Sequence, residues 1–186
     1  MAQCDDIGVF YEDGLFHIFG EFGNFPHGPD GTSLSHLTSS TGLGDWKLEN
    51  AKAVDPNPGG GHTYGVGDPT IFKVKDEYFI LCDRETKDLP YRIVAWKSKD
   101  LYDPFEFLGI VMEPRKGKKD WDNYRVQDAD VVYAPELGHL VAVCNFRDKD
   151  GKPGGSWDDV RGGGTRVIGT FYNRPPLANE GKSNYP

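Results

Sequence analysis

Short apolar and aromatic runs alternate along this chain with polar turns. Ile7-Gly8-Val9-Phe10 is followed by the turn Glu12-Asp13-Gly14 and then by Leu15-Phe16-His17-Ile18-Phe19. Thr70-Ile71-Phe72 leads through Lys75-Asp76-Glu77 to Tyr78-Phe79-Ile80-Leu81. Val131-Val132 leads through Pro135-Glu136-Leu137-Gly138 to Leu140-Val141-Ala142-Val143. Each is a strand-turn-strand pattern and predicts a β-hairpin. A third strand is expected after each hairpin, at 34–40, 92–98 and 166–172. In two copies a further phrase follows. Ser40-Thr41-Gly42-Leu43 precedes Trp46-Lys47-Leu48, and Ser98-Lys99-Asp100-Leu101 precedes Phe105-Glu106-Phe107, which reads as a turn into a fourth strand. With 24 Gly and 13 Pro the chain is poor material for long helices.

The three copies form an internal repeat. Each is led by an aspartate, Asp6, Asp68 and Asp128, spaced 62 and 60 residues apart. Units of four antiparallel strands cannot bury both faces alone and so stack around an axis as propeller blades. A two-layer sandwich would share the strand spacing but not an aspartate at the same place in every unit. The expected fold is therefore all-β: three four-stranded antiparallel β-propeller blades in one domain, spanning roughly 1–56, 57–114 and 115–186. Propellers close with about four to eight blades. Three copies are thus either part of a propeller or completed by oligomerisation, and a homodimer is the expected assembly. Residues 174–186 lack an outer-strand pattern, which leaves the third blade short of a strand.

Charge narrows the partners. Twenty-nine acidic against 21 basic residues give a net charge of -8, which repels phosphate backbones and argues against nucleic acid. The basic run Arg115-Lys116-Gly117-Lys118-Lys119 reads as a solvated loop. No stretch has the length of a membrane span, and no apolar signal core is seen at the N-terminus, so the chain is cytoplasmic or lacks its signal. Three cysteines are too few for a disulfide framework. Cys82 and Cys144 fall at equivalent places on second strands, where they are expected as small buried thiols. No cysteine-histidine cluster suggests a metal site.

The phrase Gly67-Asp68-Pro69-Thr70-Ile71-Phe72 and the turn Ser98-Lys99-Asp100-Leu101 resemble those of the five-bladed propeller glycosidases, the arabinanase/xylosidase and invertase/levansucrase-like group. The resemblance implies a carbohydrate ligand, hydrolysis of glycosidic bonds by axial carboxylates, and no redox cofactor. Whether calcium or water fills the axis is left open. It places Asp6 as base or nucleophile and Asp68 or Asp128 as the carboxylate that orients the sugar. The competing reading of each aspartate is a turn cap that accepts backbone N–H bonds. The glutamate that serves these enzymes as acid, before Gly-Pro or Cys, has no counterpart here. Glu85 is the nearest substitute, although a salt bridge beside Arg84 explains it as simply. His62, Arg84, Glu85, Arg125 and Asp130 are the remaining candidates for substrate contact. The rival function is a carbohydrate-binding or protein-interaction module that has lost its acid.

Overall fold

The computed structural model describes residues 4–22, 31–58, 63–86, 89–114, 125–134, 139–147 and 166–173. It is all-β, and among the described residues there is no helix, hence none long and apolar enough to cross a membrane. The first sheet is formed by β1 (Cys4–Glu12), β2 (Leu15–Phe22), β3 (Ser33–Ser39) and β4 (Lys47–Asn50). The second is formed by β5 (Thr63–Val74), β6 (Glu77–Thr86), β7 (Leu89–Ser98) and β8 (Glu106–Met112). The third holds β9 (Arg125–Ala134), β10 (His139–Arg147) and β11 (Arg166–Asn173). Neighbours in each sheet are consecutive and antiparallel, as in a propeller blade. Residues 174–186, where a fourth strand of the last sheet would fall, lie outside the described residues.

Local chemistry sets the turns. Glu12 pairs with Leu15, so the first hairpin has a two-residue loop, and both Asp13 (φ 51°) and Gly14 (φ 82°) take the left-handed conformation. That loop matches the twist of the strands it joins, and Asp-Gly suits it. The phrase Ser98-Lys99-Asp100-Leu101 turns because Ser98 Oγ accepts the Asp100 N–H and Asp100 Oδ1 accepts the Tyr102 N–H. This seats Leu101 in the core at 4% exposure.

Successive side chains of a strand face opposite sides of its sheet. In the second sheet both sides are covered. Ile71, Ile80, Cys82, Val94 and Trp96 pack with Phe19 and Leu34 of the first sheet. Phe72, Phe79, Leu81, Ile93 and Ala95 pack with Val126, Ala129 and Val131 of the third. Burying a side chain of this size is worth about 1.5–3 kcal/mol, so these two faces dominate the stability of the domain. Cys82 and Cys144 are free, buried thiols, one in each cluster, as expected. The first and second sheets are also joined by Glu12, which accepts hydrogen bonds from Lys73 and Tyr78. Beside them His17 and His36 share a 3.0 Å hydrogen bond, with the His36 ring flat on Phe19. Burial pushes both imidazoles below their ordinary value, His36 to about 4, so the pair is neutral at pH 7.

The first sheet has one face without a neighbour among the described residues. Register places Val9, Ile18, Leu37 and Leu48 in one cross-strand row, the counterpart of Ile71, Ile80, Trp96 and Phe107 in the second sheet. Trp96 is fully buried, whereas Val9 and Leu48 are 53% and 56% exposed. Leu43, the counterpart of Leu101, is 95% exposed. The same surface is thus covered in one repeat and bare in the other.

Close backbone contact ties the first two sheets at Gly65, whose φ is 109°. Val66 N–H donates to the Thr32 carbonyl at 3.0 Å, and a Cβ on Gly65 would stand 2.1 Å from the Thr32 nitrogen. Gly65→Ala combines a clash with a left-handed conformation and is expected to cost about 1–3 kcal/mol or more, measured by urea unfolding.

Candidate functional site

The three repeat aspartates do not open their strands. β1, β5 and β9 begin two, five and three residues earlier, and each aspartate sits inside its strand where the pairing slips, at bulges between Cys4 and Ile7, between Gly67 and Thr70, and opposite Val143 and Asn145. Asp68 (φ 47°) and Asp128 (φ 53°) are left-handed there. That conformation costs a non-glycine residue about 1–2 kcal/mol, and aspartate tolerates it better than most. A bulge turns a side chain out of the regular alternation, and such bulges gather next to active sites.

Two of the aspartates, Asp68 and Asp128, offer their own main-chain N–H to a carboxylate of the preceding sheet. Asp68 N–H donates to Glu21 Oε1 at 2.8 Å, and Asp128 N–H donates to Asp83 Oδ1 at 2.9 Å. Glu21 lies on β2 and Asp83 on β6. The inner strands can approach this closely because small residues line them. A Cβ on Gly8 would meet the Pro69 carbonyl oxygen at 2.5 Å, and one on Gly67 would meet Glu21 Oε1 at 2.1 Å.

Five carboxylates therefore crowd together in two triads that share Asp68. Asp6, Glu21 and Asp68 bring oxygens within 4.8 Å of one another, and so do Asp68, Asp83 and Asp128. Asp6 is the exposed member and Asp83, at 1% exposure, the deepest. Burial, followed by the charges of Asp128, Asp6 and Glu21 and a hydrogen bond with Asp6, pushes the Asp68 carboxyl up to about 8. Burial first, then Asp68 and Asp128, drives Asp83 well above the usual carboxylate range. Asp68 thus holds a proton at neutral pH. Like charges separated in this way are how one site comes to hold both an acid and a base. Both triads are also the all-oxygen donor sets that a hard divalent cation takes, so a cation and a proton are alternative reliefs of one repulsion.

Of the other candidates, Arg84, Arg125 and Asp130 belong to neither triad. Arg84 is buried on the opposite face of β6, its guanidinium 5.9 Å from the Phe107 ring centroid, and burial and Arg92 lower its pKa. The Arg84 Nε has no hydrogen-bond partner. Arg125 begins β9 and stacks its guanidinium 5.0 Å over Tyr91. Asp130 is exposed and accepts a 3.4 Å hydrogen bond from the Thr70 hydroxyl of the neighbouring sheet. Glu85 lies on β6, but its side chain is outside the described residues, and so is the whole of His62. Sequence reasoning passed over Glu21 and Asp83 as members of the site. They hold the same repeat position, 62 residues apart, directly after Gly20 and Cys82. That recurrence of an acidic residue inside a buried strand was the available signal.

No protein-family model matches the sequence, and no curated protein is similar to it. Solved structures are. The chain is similar to a family 117 glycoside hydrolase of the marine bacterium Zobellia galactanivorans, at 14% identity and a TM-score of 0.71, over 93% of this chain and 53% of that one. It is similar to a thermostable family 43 glycoside hydrolase, at 15% identity and a TM-score of 0.61, over 90% and 53%. It is similar to a family 32 β-fructofuranosidase of Bombyx mori, at 15% identity and a TM-score of 0.63, over 93% and 34%. The fold is that of the propeller glycoside hydrolases, and the chain spans about half the length of the first two and about a third of the last.

The raised Asp68 value has a direct consequence for stability. A carboxyl whose folded value lies near 8 against 3.8 unfolded destabilises the fold progressively as pH rises between those limits. Asp68→Asn removes that cost. The variant should melt above the wild type at pH 8 and converge with it near pH 4, read by thermal denaturation across the range.

Proposed function

We propose that the chain is a carbohydrate-active propeller whose axial carboxylates serve glycosidic-bond hydrolysis. The observation that carries this reading is the meeting of Asp6, Asp68 and Asp128, from three different sheets, in one cluster with an exposed member at its mouth. Asp6 is the base or nucleophile, being the carboxylate that a sugar can reach. Asp68 holds its proton at neutral pH and orients the sugar by donating a hydrogen bond to it, with Asp128 behind it. Asp6 and Asp68 hydrogen-bond each other, so a glycosidic bond does not fit between them. The acid that protonates the leaving oxygen must stand across that bond, about 5–10 Å from the base, outside this cluster.

A second reading is favoured by one observation, that Asp6 and Asp68 are hydrogen-bonded to each other and so do not form a separated acid and base. Such a cluster would bind sugar and turn nothing over. Aryl glycosides of pentoses and hexoses separate the two. With turnover, Asp6→Asn should lower kcat on the order of 10²–10⁴-fold, and activity should fall as pH rises through about 8 and Asp68 loses its proton. Binding of the same sugars without turnover, seen by calorimetry, would select the module. Neither turnover nor binding would sink both.

The same proposal extends to assembly. The row Val9, Ile18, Leu37 and Leu48, exposed at both ends, matches a row that a neighbouring sheet buries elsewhere in this chain, so a second copy is its occupant. Sedimentation should give a dimer, and Val9→Asp with Leu48→Asp should give a folded monomer. A wild-type monomer at all concentrations would overturn this point.

A further inference from the structure

The bulges that carry Asp68 and Asp128 are strained, and something must hold them. Both are left-handed at a non-glycine residue, and Asp68 also precedes a proline, which narrows its backbone further. In each case the main-chain N–H freed from the ladder by the slip in register points at a carboxylate of the sheet before. Glu21 receives it from Asp68 and Asp83 from Asp128. The two acceptors are repeat equivalents, each on the second strand of its sheet, with side chains facing the next sheet as Phe19 and Leu81 do two residues earlier. The backbone makes room for one of them, since Gly67 leaves the space that the Glu21 carboxylate fills.

We propose that Glu21 and Asp83 are positioning residues: a carboxylate on the second strand of one blade clamps the bulge of the next and so aims that blade's aspartate at the axis. This rests on the reading of the aspartate cluster as the site, but the clamp itself is testable without turnover. Each link is specific to one pair. Glu21 acts on Asp68, and Asp83 acts on Asp128. What the clamp requires is an acceptor oxygen, which an amide also supplies. Loss of the side chain should release a bulge, whereas Glu21→Gln and Asp83→Asn should keep it.

Amide hydrogen exchange of the full chain reads this directly. In Asp83→Ala the Asp128 amide should exchange about tenfold faster or more, with the Asp68 amide unchanged; Glu21→Ala should give the converse. The amides of Ile80 and Val94, in the middle of the second sheet, report global unfolding and should keep their protection in both variants. Gly67→Ala offers a route that leaves Glu21 in place. Its Cβ displaces the carboxylate, and the Asp68 amide alone should lose protection. If the wild type turns over an aryl glycoside, the alanine variants should lower kcat with little change in KM, and the amide variants should restore it. A wild type without turnover would defeat the functional reading and leave the exchange pattern to decide the clamp. Protection of both bulge amides in the alanine variants would overturn the proposal. So would loss at both bulges together with Ile80 and Val94, because the residues would then be merely structural.

Discussion

Face-to-face burial of one sheet on the next is the constraint from which the rest of this molecule follows. The second sheet is sealed on both sides, by Phe19 and Leu34 on one and by Val126 and Val131 on the other. Sheets stacked in this way must converge along one edge, and there the inner strands β1, β5 and β9 come into contact. Nothing bulky fits at that edge. Gly8 meets the Pro69 carbonyl and Gly67 meets Glu21, and the small side chain of Thr70 links to Asp130 and to the Val131 N–H. The apolar faces supply the free energy, and the polar edge is where it is spent.

The edge is costly in two ways. Left-handed aspartates strain the backbone, and five carboxylates share a space that runs from the exposed Asp6 to the buried Asp83. Repulsion and desolvation are relieved by the proton that Asp68 retains, and by main-chain N–H groups turned towards Glu21 and Asp83. A cluster built for stability alone would not be acidic throughout, because apolar residues of similar size would pack there at lower cost. Strain and buried charge gathered in one place recur at functional sites, and that is what makes this cluster the candidate.

The repeat also explains what is uneven in the molecule. Equivalent positions have different fates according to whether a neighbour is present. Leu101 is buried and Leu43 bare; Trp96 is sealed and Leu37 only partly covered. Among the described residues, the first sheet carries the apolar row of an inner blade with no sheet covering it. The buried arginines follow from packing too. Arg84 lies over Phe107 and Arg125 over Tyr91, stacked on the flanks of the blades and apart from the axis.

Strand alternation, hairpin turns and the spacing of Asp6, Asp68 and Asp128 were enough to derive an all-β propeller from the chain alone. The alternation and the turns are local signals, carried by residues two to five apart, and the aspartates mark their recurrence at intervals of 62 and 60 residues. The buried thiols at Cys82 and Cys144 were legible for the same reason. The sequence was silent on where each aspartate lies within its strand, because a bulge is set by the register of two strands and not by either one. It was equally silent on Glu21 and Asp83, whose partners lie 47 and 45 residues away on another sheet. Only the packing of sheet against sheet brings an acidic residue of one repeat to the backbone of the next, since the position of the axis is a property of the stack and of no single blade.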